Sequence, residues 1–171
     1  MPKGLKETSQ TIAISADIVE SAANTFTEVQ VDLNLDPLNN EVFVITAIDM
    51  QSSSPDMTLG QTSAVFCGMS TTTRTSVASL ADSNGLARLT KTLVTDPAGG
   101  PAAVGFIENS AETPTALQDY VAIIATNDFF LQIQGQNNVV AKNFQARMWG
   151  YRARADSSVY AALVQSEVLS A

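Results

Sequence analysis

Apolar and polar residues alternate with a period of two over much of this chain, which is typical of β-strands with one buried face. The clearest example is Phe26–Leu35, where Val29, Val31, Leu33 and Leu35 alternate with polar residues. The pattern predicts a strand whose valines and leucines face a core, while the intervening Glu, Gln, Asp and Asn side chains face outward.

The next segment predicts a turn followed by a more deeply buried strand. In Asp36–Asn40, proline fixes φ and asparagine tolerates left-handed backbone geometry, so these residues favour a turn. Glu41–Met50 is then apolar on both faces, because Phe43, Ile45 and Ala47 occupy the second face. Two consecutive strands are therefore predicted, one half-solvated and one close to the middle of the core.

Seven further strands are predicted from alternating or short apolar runs. They are Gln10–Val19, Ser63–Met69, Thr90–Thr95, Ala103–Glu108, Tyr120–Ala125, Phe129–Gln134 and Lys142–Arg154. Asp96–Pro101 and Asn109–Gln118 are predicted to be loops. Ser157–Leu169 has apolar residues at helical spacing after a capping residue, which predicts a C-terminal helix. The Ser- and Thr-rich region Thr71–Leu89 is compatible with a short helix around Ser79–Leu89, an extra strand or a long loop, and these alternatives stay open.

Together these elements predict an all-β fold, a two-sheet β-sandwich of jelly-roll type with about eight strands and a short C-terminal helix. An immunoglobulin-like sandwich is the second topology considered. We expect a flexible N-terminal tail over 1–9, the sandwich over 10–155 and the helix over 156–171.

The composition is typical of one globular domain and argues against direct binding to nucleic acid and against a membrane span. The 171 residues are 45% hydrophobic and 15% charged, with a net charge of −8 and nine basic residues. Direct binding to nucleic acid is not expected, since phosphate contacts need clustered Lys and Arg and the N-terminus offers Lys3 and Lys6. No apolar run approaches the roughly 20 residues of a membrane span. The single cysteine, Cys67, is expected to be buried and reduced.

The sequence carries little recognisable chemistry. There is no histidine, which removes the common nucleophile triads and the usual zinc ligand sets. Glu28, Asp32 and Asp49 are the candidates for a catalytic carboxylate pair, but the alternation places Glu28 and Asp32 on the solvated face, and Asp49 is interpreted as a turn former. Oxygen atoms between Asp36 and Glu41 could suit calcium, but turn formation explains these residues. We therefore predict no catalytic residue, metal or cofactor, and no enzyme.

Charge is segregated along the chain. Four of the nine basic residues lie near the C-terminus, at Lys142, Arg147, Arg152 and Arg154, whereas acids dominate the first sixty residues. Opposite charges on one small domain suit head-to-tail association. We hypothesise that Arg147, Arg152 and Arg154 meet acids of a neighbouring subunit.

Two aromatic residues in the same region form a second candidate site. Trp149 and Tyr151 are two positions apart, so they are expected to share a face of the last strand. The pair is interpreted as part of the core or of a subunit interface rather than as a sugar-binding platform.

Over Gln10–Arg154 the chain resembles the single jelly-roll coat proteins of icosahedral, tailless double-stranded DNA viruses of bacteria and archaea. The resemblance lies in the length, the alternating strands of Phe26–Met50, the Ser- and Thr-rich loops and the missing catalytic residues. It implies a capsid protein in the virion whose partners are copies of itself and other virion proteins. The chain lacks a basic arm, so direct genome packaging is not implied. The alternatives are a microbial surface or filament subunit, a carbohydrate-binding module and a phage tail or decoration protein.

Overall fold

The computed structural model describes residues 3–96, 98, 105–110 and 119–169, and these residues contain ten strands and one α-helix. The strands are β1 (Leu5–Glu7), β2 (Ile12–Val19), β3 (Thr27–Asp32), β4 (Glu41–Ser52), β5 (Ser63–Ser70), β6 (Gly85–Val94), β7 (Gly105–Ser110), β8 (Ala122–Ile124), β9 (Asp128–Gln136) and β10 (Asn143–Ala155). The helix α1 spans Ser157–Leu169, as predicted. The expected loops at Asp96–Pro101 and Asn109–Gln118 lie largely outside the described residues.

The strands form two antiparallel sheets. In sheet A, β1 and β2 both pair with one edge of β10, and β4 and β8 follow on its other side. Sheet B has the order β3-β9-β5-β6-β7. The chain changes sheet between β2, β3, β4 and β5, and again between β7, β8, β9 and β10. This alternation is the strand order of a jelly roll, and the predicted two-sheet sandwich with a C-terminal helix is confirmed.

The core lies between the two sheets and is filled by large side chains. Phe43 of β4 and Phe144 of β10 meet Phe129 and Leu131 of β9, and each is at most 1% exposed. Cys67 lies among them, as predicted, and burial raises the pKa of its thiol to about 12. Because this interior is occupied by packed side chains, binding partners have access to the outer surfaces rather than to the space between the sheets.

A β-bulge in β4 corrects one prediction about the core. Thr46 has no partner in the register with β10, so the strand gains one residue at that point. Before the bulge Phe43 faces the core, and after it Ile48 and Met50 do. Ala47, which was expected to share a face with Phe43 and Ile45, therefore lies on the outer face because the extra residue reverses the alternation.

The helix α1 covers one half of the outer face of sheet A. Its apolar side chains pack on the first half of β4 and the last half of β10, in a cluster that contains Val42, Val44, Ala153, Ala155, Val159, Tyr160, Leu163 and Val164. Glu167 in the last turn accepts hydrogen bonds from the backbone N–H groups of Ala125 and Thr126, both at 2.9 Å. These contacts attach the helix to the turn between β8 and β9.

The start of the chain is more ordered than expected. Residues 5–7, which fell within the expected flexible tail, form β1 against the end of β10. Leu5 is 9% exposed and joins the apolar cluster under α1, and the N–H of Asp156 donates to the carbonyl of Gly4. Burial of one leucine and pairing of the backbone explain why this segment is held.

Of the alternatives open for Thr71–Leu89, the structure shows a loop followed by a strand, and no helix forms around Ser79–Leu89. Residues 71–84, here called the 71–84 segment, form turns and bends, and β6 begins at Gly85. Polar side chains of sheet B hold this segment: Glu28 accepts the N–H of Arg74 at 3.0 Å, and Gln132 accepts that of Ala78 at 3.0 Å. These tertiary hydrogen bonds satisfy backbone groups that a helix would otherwise have paired internally.

Candidate functional site

An open groove lies on the half of the outer face of sheet A that α1 leaves uncovered. It has a volume of about 550 Å³ and crosses three adjacent strands, β2, β10 and β4. Its polar lining consists of Ser15, Asp17, Asp49, Gln51, Gln145 and Arg147. All six side chains are exposed, so this groove presents donors and acceptors directly to solvent.

Strand register sets these groups in two rows. Arg147 of β10 lies opposite Ser15 of β2 on one side and Asp49 of β4 on the other. Gln145 lies in the same way between Asp17 and Gln51. Neighbouring strands are about 4.8 Å apart, so each row is a line of polar groups about 10 Å long. Such a surface suits a partner rich in hydroxyl or amide groups.

Trp149 forms the border between the groove and the helix-covered half of the sheet. The guanidinium carbon of Arg147 lies 6.0 Å from the centre of the Trp149 ring, and its Nε donates to the hydroxyl of Ser15 at 3.1 Å. Tyr151, one step further along the same face, packs with the cluster under α1, and burial raises the pKa of its phenol. The two aromatic residues share the outer face of β10, as predicted. Trp149 lies beside the groove, whereas Tyr151 lies on the half of the sheet that α1 covers.

The predicted arginine cluster does not form one patch. Arg147 points to the outer face of β10, whereas Arg152 and Arg154 are an odd number of residues away and lie on the other face. Arg152 pairs with Glu41 at 3.0 Å and donates to the carbonyl of Leu33 at 2.7 Å. Arg154 is exposed and donates to the side chain of Asn39 at 3.1 Å. Their meeting with acids of a neighbour remains a prediction, and Arg152 already has partners within its own chain.

The three acids considered for carboxylate chemistry are not together. Glu28 and Asp32 lie on the outer face of sheet B, and Asp49 lies on the outer face of sheet A, on the opposite side of the sandwich. Glu28 is half-buried rather than solvated, because it accepts hydrogen bonds from the 71–84 segment and from Gln132. Asp49 is a mid-strand residue of β4 and not a turn former, since β4 continues to Ser52.

In the oxygen-rich turn before β4, the side-chain oxygens of Asp36 accept hydrogen bonds from within the turn. Pro37–Asn39 forms one 3-10 turn, capped by Asp36 and closed by Asn40 with φ of 51°. The Asn39 amide and the N–H of Leu38 donate to Asp36, and these hydrogen bonds hold the pKa of Asp36 below its ordinary value. Among the described residues no three His, Cys, Asp or Glu side chains come together to hold a metal ion.

A buried polar cluster that no sequence pattern indicated lies at one end of the sandwich, where three loops meet. Glu20 is 4% exposed and accepts the backbone N–H groups of Gly135 and Lys142. The buried ammonium of Lys142 pairs with Asp56 at 2.5 Å, and Asp56 also accepts the N–H groups at 139 and 140. Asn138 links the same loops through Asn24 and Ala64. The cluster fixes the backbone of all three loops.

Exposed aliphatic side chains surround this rigid base. Five of them are between 56% and 75% exposed, and we call them the loop-end patch: Val19, Met57, Leu59, Val139 and Val140. Four of them lie in loops and Val19 is the last residue of β2, so no single periodic pattern in the sequence marks them. Exposed aliphatic side chains gathered on ordered loops make this end of the sandwich a candidate surface for protein contact.

Comparison with known proteins adds no relative. No family model, no curated protein and no solved structure matches the chain. Among the described residues, no helix is long and apolar enough to cross a membrane. The fold and the two outer surfaces are therefore the basis for a functional proposal.

Proposed function

We propose that this protein is a structural subunit of a virion, which assembles with copies of itself into the capsid shell. The observation that carries the proposal is the strand order of the two sheets, (β1, β2)-β10-β4-β8 and β3-β9-β5-β6-β7. Jelly rolls of this kind serve as coat domains, lectins and small-molecule-binding barrels. Here packed aromatic and aliphatic side chains fill the interior, which favours the classes that act through their outer surfaces.

The loop-end patch supports assembly as the mechanism. Burying the exposed part of each of its five aliphatic side chains would contribute about 1 kcal/mol apiece. A contact of about 5 kcal/mol only offsets the lower range of the association cost, so a single contact is weak and many repeated contacts are needed. Because Lys142, Asp56 and Glu20 already fix the loops, little further ordering is required on binding.

Exposed charged residues set the orientation of neighbouring subunits relative to one another in this proposal. Arg147 and Arg154 are exposed on opposite faces of β10 and can each meet an acid of a different neighbour. Arg152, which pairs with Glu41, contributes instead to the shape of the subunit. Complementary charges at the rim of a contact affect its rate and register more than its strength.

Light scattering across a range of concentration, with electron microscopy of the same fractions, tests the proposal. Shells, rings or discrete capsomers are expected, and their symmetry separates a coat from a filament, tail or decoration protein. The double variant V139T/V140T keeps side-chain shape and should shift assembly to higher concentration. Val168→Thr, a matched change at an aliphatic residue of α1 that is 61% exposed, should not. A wild-type monomer under all conditions would contradict the proposal.

The groove on sheet A favours one second candidate, a carbohydrate-binding module. Amide, carboxylate and guanidinium groups beside Trp149 suit the hydroxyl groups of a neutral saccharide. Calorimetric titration with maltose, cellobiose and lactose tests this alternative. Binding that is lost in Gln145→Ala and kept in Gln30→Ala, on the outer face of sheet B, would place this function first.

A further inference from the structure

The outer edge of β2 in sheet A is open. Along Ile12–Val19 this strand pairs with β10 on one side, and in the described part of the chain no strand pairs with its other side. In the same register the N–H of Glu20 donates to the carbonyl of Lys142, so the even-numbered residues of β2 form the hydrogen bonds to β10. The backbone N–H and C=O groups of the odd-numbered residues therefore point to the open edge, at Ala13, Ser15, Asp17 and Val19.

β2 also lacks the features that usually protect an edge strand. Short length, charged side chains, proline and bulges prevent edges from pairing with other chains. β2 is eight residues long, has no proline, keeps an unbroken register with β10 and carries one charge, that of Asp17. The edge strands β8 and β3 differ, since β8 has three residues and β3 has six that include Glu28 and Asp32. Of these three edges, that of β2 is best suited to accept another strand.

The sequence of β2 is complementary to itself in one antiparallel register. When Ala16 lies opposite Ala16 of a second copy, Ile14 lies opposite Ile18 on the inner face, and Ser15 lies opposite Asp17 on the outer face. The two copies are then related by a two-fold axis perpendicular to the sheet, which keeps both inner faces on the same side. A shift of two residues in one direction would oppose the two Asp17 side chains, and a shift in the other direction would oppose the two Ser15 side chains.

Arg147 supplies charge complementarity to this register. Its side chain is exposed and forms no ion pair within the described residues, although Asp49 lies opposite it on β4. Its Nε donates instead to the hydroxyl of Ser15 at 3.1 Å, so the guanidinium is turned toward the open edge. Asp17 of a second copy would lie opposite Ser15, one strand spacing of about 4.8 Å further on. The two-fold axis would form this ion pair twice.

We propose that β2 pairs antiparallel with β2 of a second copy, with Arg147 of each copy paired to Asp17 of the other. The two A sheets then form one continuous sheet. The pairing adds about eight backbone hydrogen bonds, two for each of four opposite pairs of odd-numbered residues. This inference rests on the proposed self-assembly, and it names the strand and the charged pair that one contact between copies uses.

Two charge-reversal variants test the ion pair between copies by sedimentation velocity. Asp17→Arg and Arg147→Asp should each raise the dissociation constant of the dimer about 100-fold, because each opposes like charges at both contacts. An equimolar mixture should associate again, since one variant then meets the other with opposite charges at both contacts. Both variants keep a net negative charge, so general attraction cannot cause this recovery. Asp32→Arg, the same charge change at an exposed position of β3, should associate like wild type.

Hydrogen exchange at single amides, read by mass spectrometry with electron-transfer fragmentation, tests the strand pairing. The amides of Ala13, Ser15 and Asp17 should exchange slowly in concentrated wild-type protein and quickly in dilute protein. Those of Ile14 and Ala16, which bond to β10, should exchange slowly in both.

Two results would overturn this contact. One is a mixture of the two charge-reversal variants that associates no better than either variant alone. The other is rapid exchange at Ala13, Ser15 and Asp17 in associated wild-type protein, which would show that another surface joins the copies and would leave the proposed assembly in place. A wild-type monomer at every concentration would contradict the contact and the proposed function together. Dimers paired through β2 that form no larger particle would contradict the capsid proposal alone.

Discussion

Gly150, opposite the bulge in β4, offers the sharpest test of the packing. A Cβ atom added there would lie 2.6 Å from Cε1 and 2.8 Å from Cζ of Phe43, and closer still to the carbonyl oxygen of Val44. Real Cβ atoms do not approach ring carbons or a carbonyl this closely, so Gly150→Ala requires neighbouring atoms to move. Phe43 is 1% exposed in the middle of the core and cannot rotate away without opening a void.

The expected cost follows from what must move. Overpacking a core by one methyl group costs about 1–3 kcal/mol. Here both an aromatic ring and the backbone of a paired strand are in the way, so we expect about 3 kcal/mol, at the upper end of that range. For a domain of this size that free energy lowers the melting temperature by about 6–12 °C.

Urea denaturation followed by circular dichroism measures the effect. Gly105→Ala is the matched control, because the nearest atom to an added Cβ there is Val94 Cβ at 4.0 Å. That control should remain within about 0.5 kcal/mol of wild type. A Gly150→Ala protein equally close to wild type would refute the packing of Phe43 against β10.

Three other perturbations test separate features. Lys142→Met leaves Asp56 unpaired and should lower stability by about 2 kcal/mol near neutral pH, less than for a fully buried pair because Asp56 is 27% exposed. Lys142 lowers the pKa of Asp56, so this difference should vanish as the pH falls through that lowered pKa. Burial raises the pKa of Glu167 above 4.5, so its contribution to stability is present below pH 4.5 and is lost as the pH rises through the raised value. Denaturation of Glu167→Gln as a function of pH should lack this decline. Cys67 should react with a disulfide reagent no faster than the chain unfolds, as measured by quenched thiol labelling.

Controls for these three use the same assays. Lys3→Met changes a lysine near the start of the chain, outside the buried cluster, and should leave stability unchanged. Asp32→Asn should keep the pH profile of the wild type, since its side chain is exposed. Immediate labelling of Cys67 in native protein would contradict its burial, while denatured protein should label at once.

The strands were predictable because their signal is local. Alternation placed β2, β3, β5, β9 and β10 within a few residues of their observed positions, and helical spacing with a capping residue placed α1. What was missed depends on contacts distant in sequence. The 71–84 segment is irregular because Glu28 and Gln132, on strands far away along the chain, accept its backbone N–H groups.

The candidate sites were only partly predictable from the sequence. Nearness in sequence grouped Arg147 with Arg152 and Arg154, although the period of two within one strand already separates odd from even positions. The alternation correctly placed Trp149 and Tyr151 on one face. It could not indicate that α1 would cover one of them, because helix docking depends on the apolar cluster formed with β1, β4 and β8.

The position of β10 in sheet A constrains how this chain folds during synthesis. β10 is the partner of β1 and β2 on one edge and of β4 on the other, and β9 is the partner of β3 in the other sheet. Among the described residues, β1, β2 and β3 therefore have no partner strand until the ribosome has made β9 and β10, whereas β4 can pair earlier with β8. Several apolar strands of the nascent chain stay unpaired during that time. The yield of folded subunit therefore depends on a chaperone or on the slow spontaneous closure of long loops.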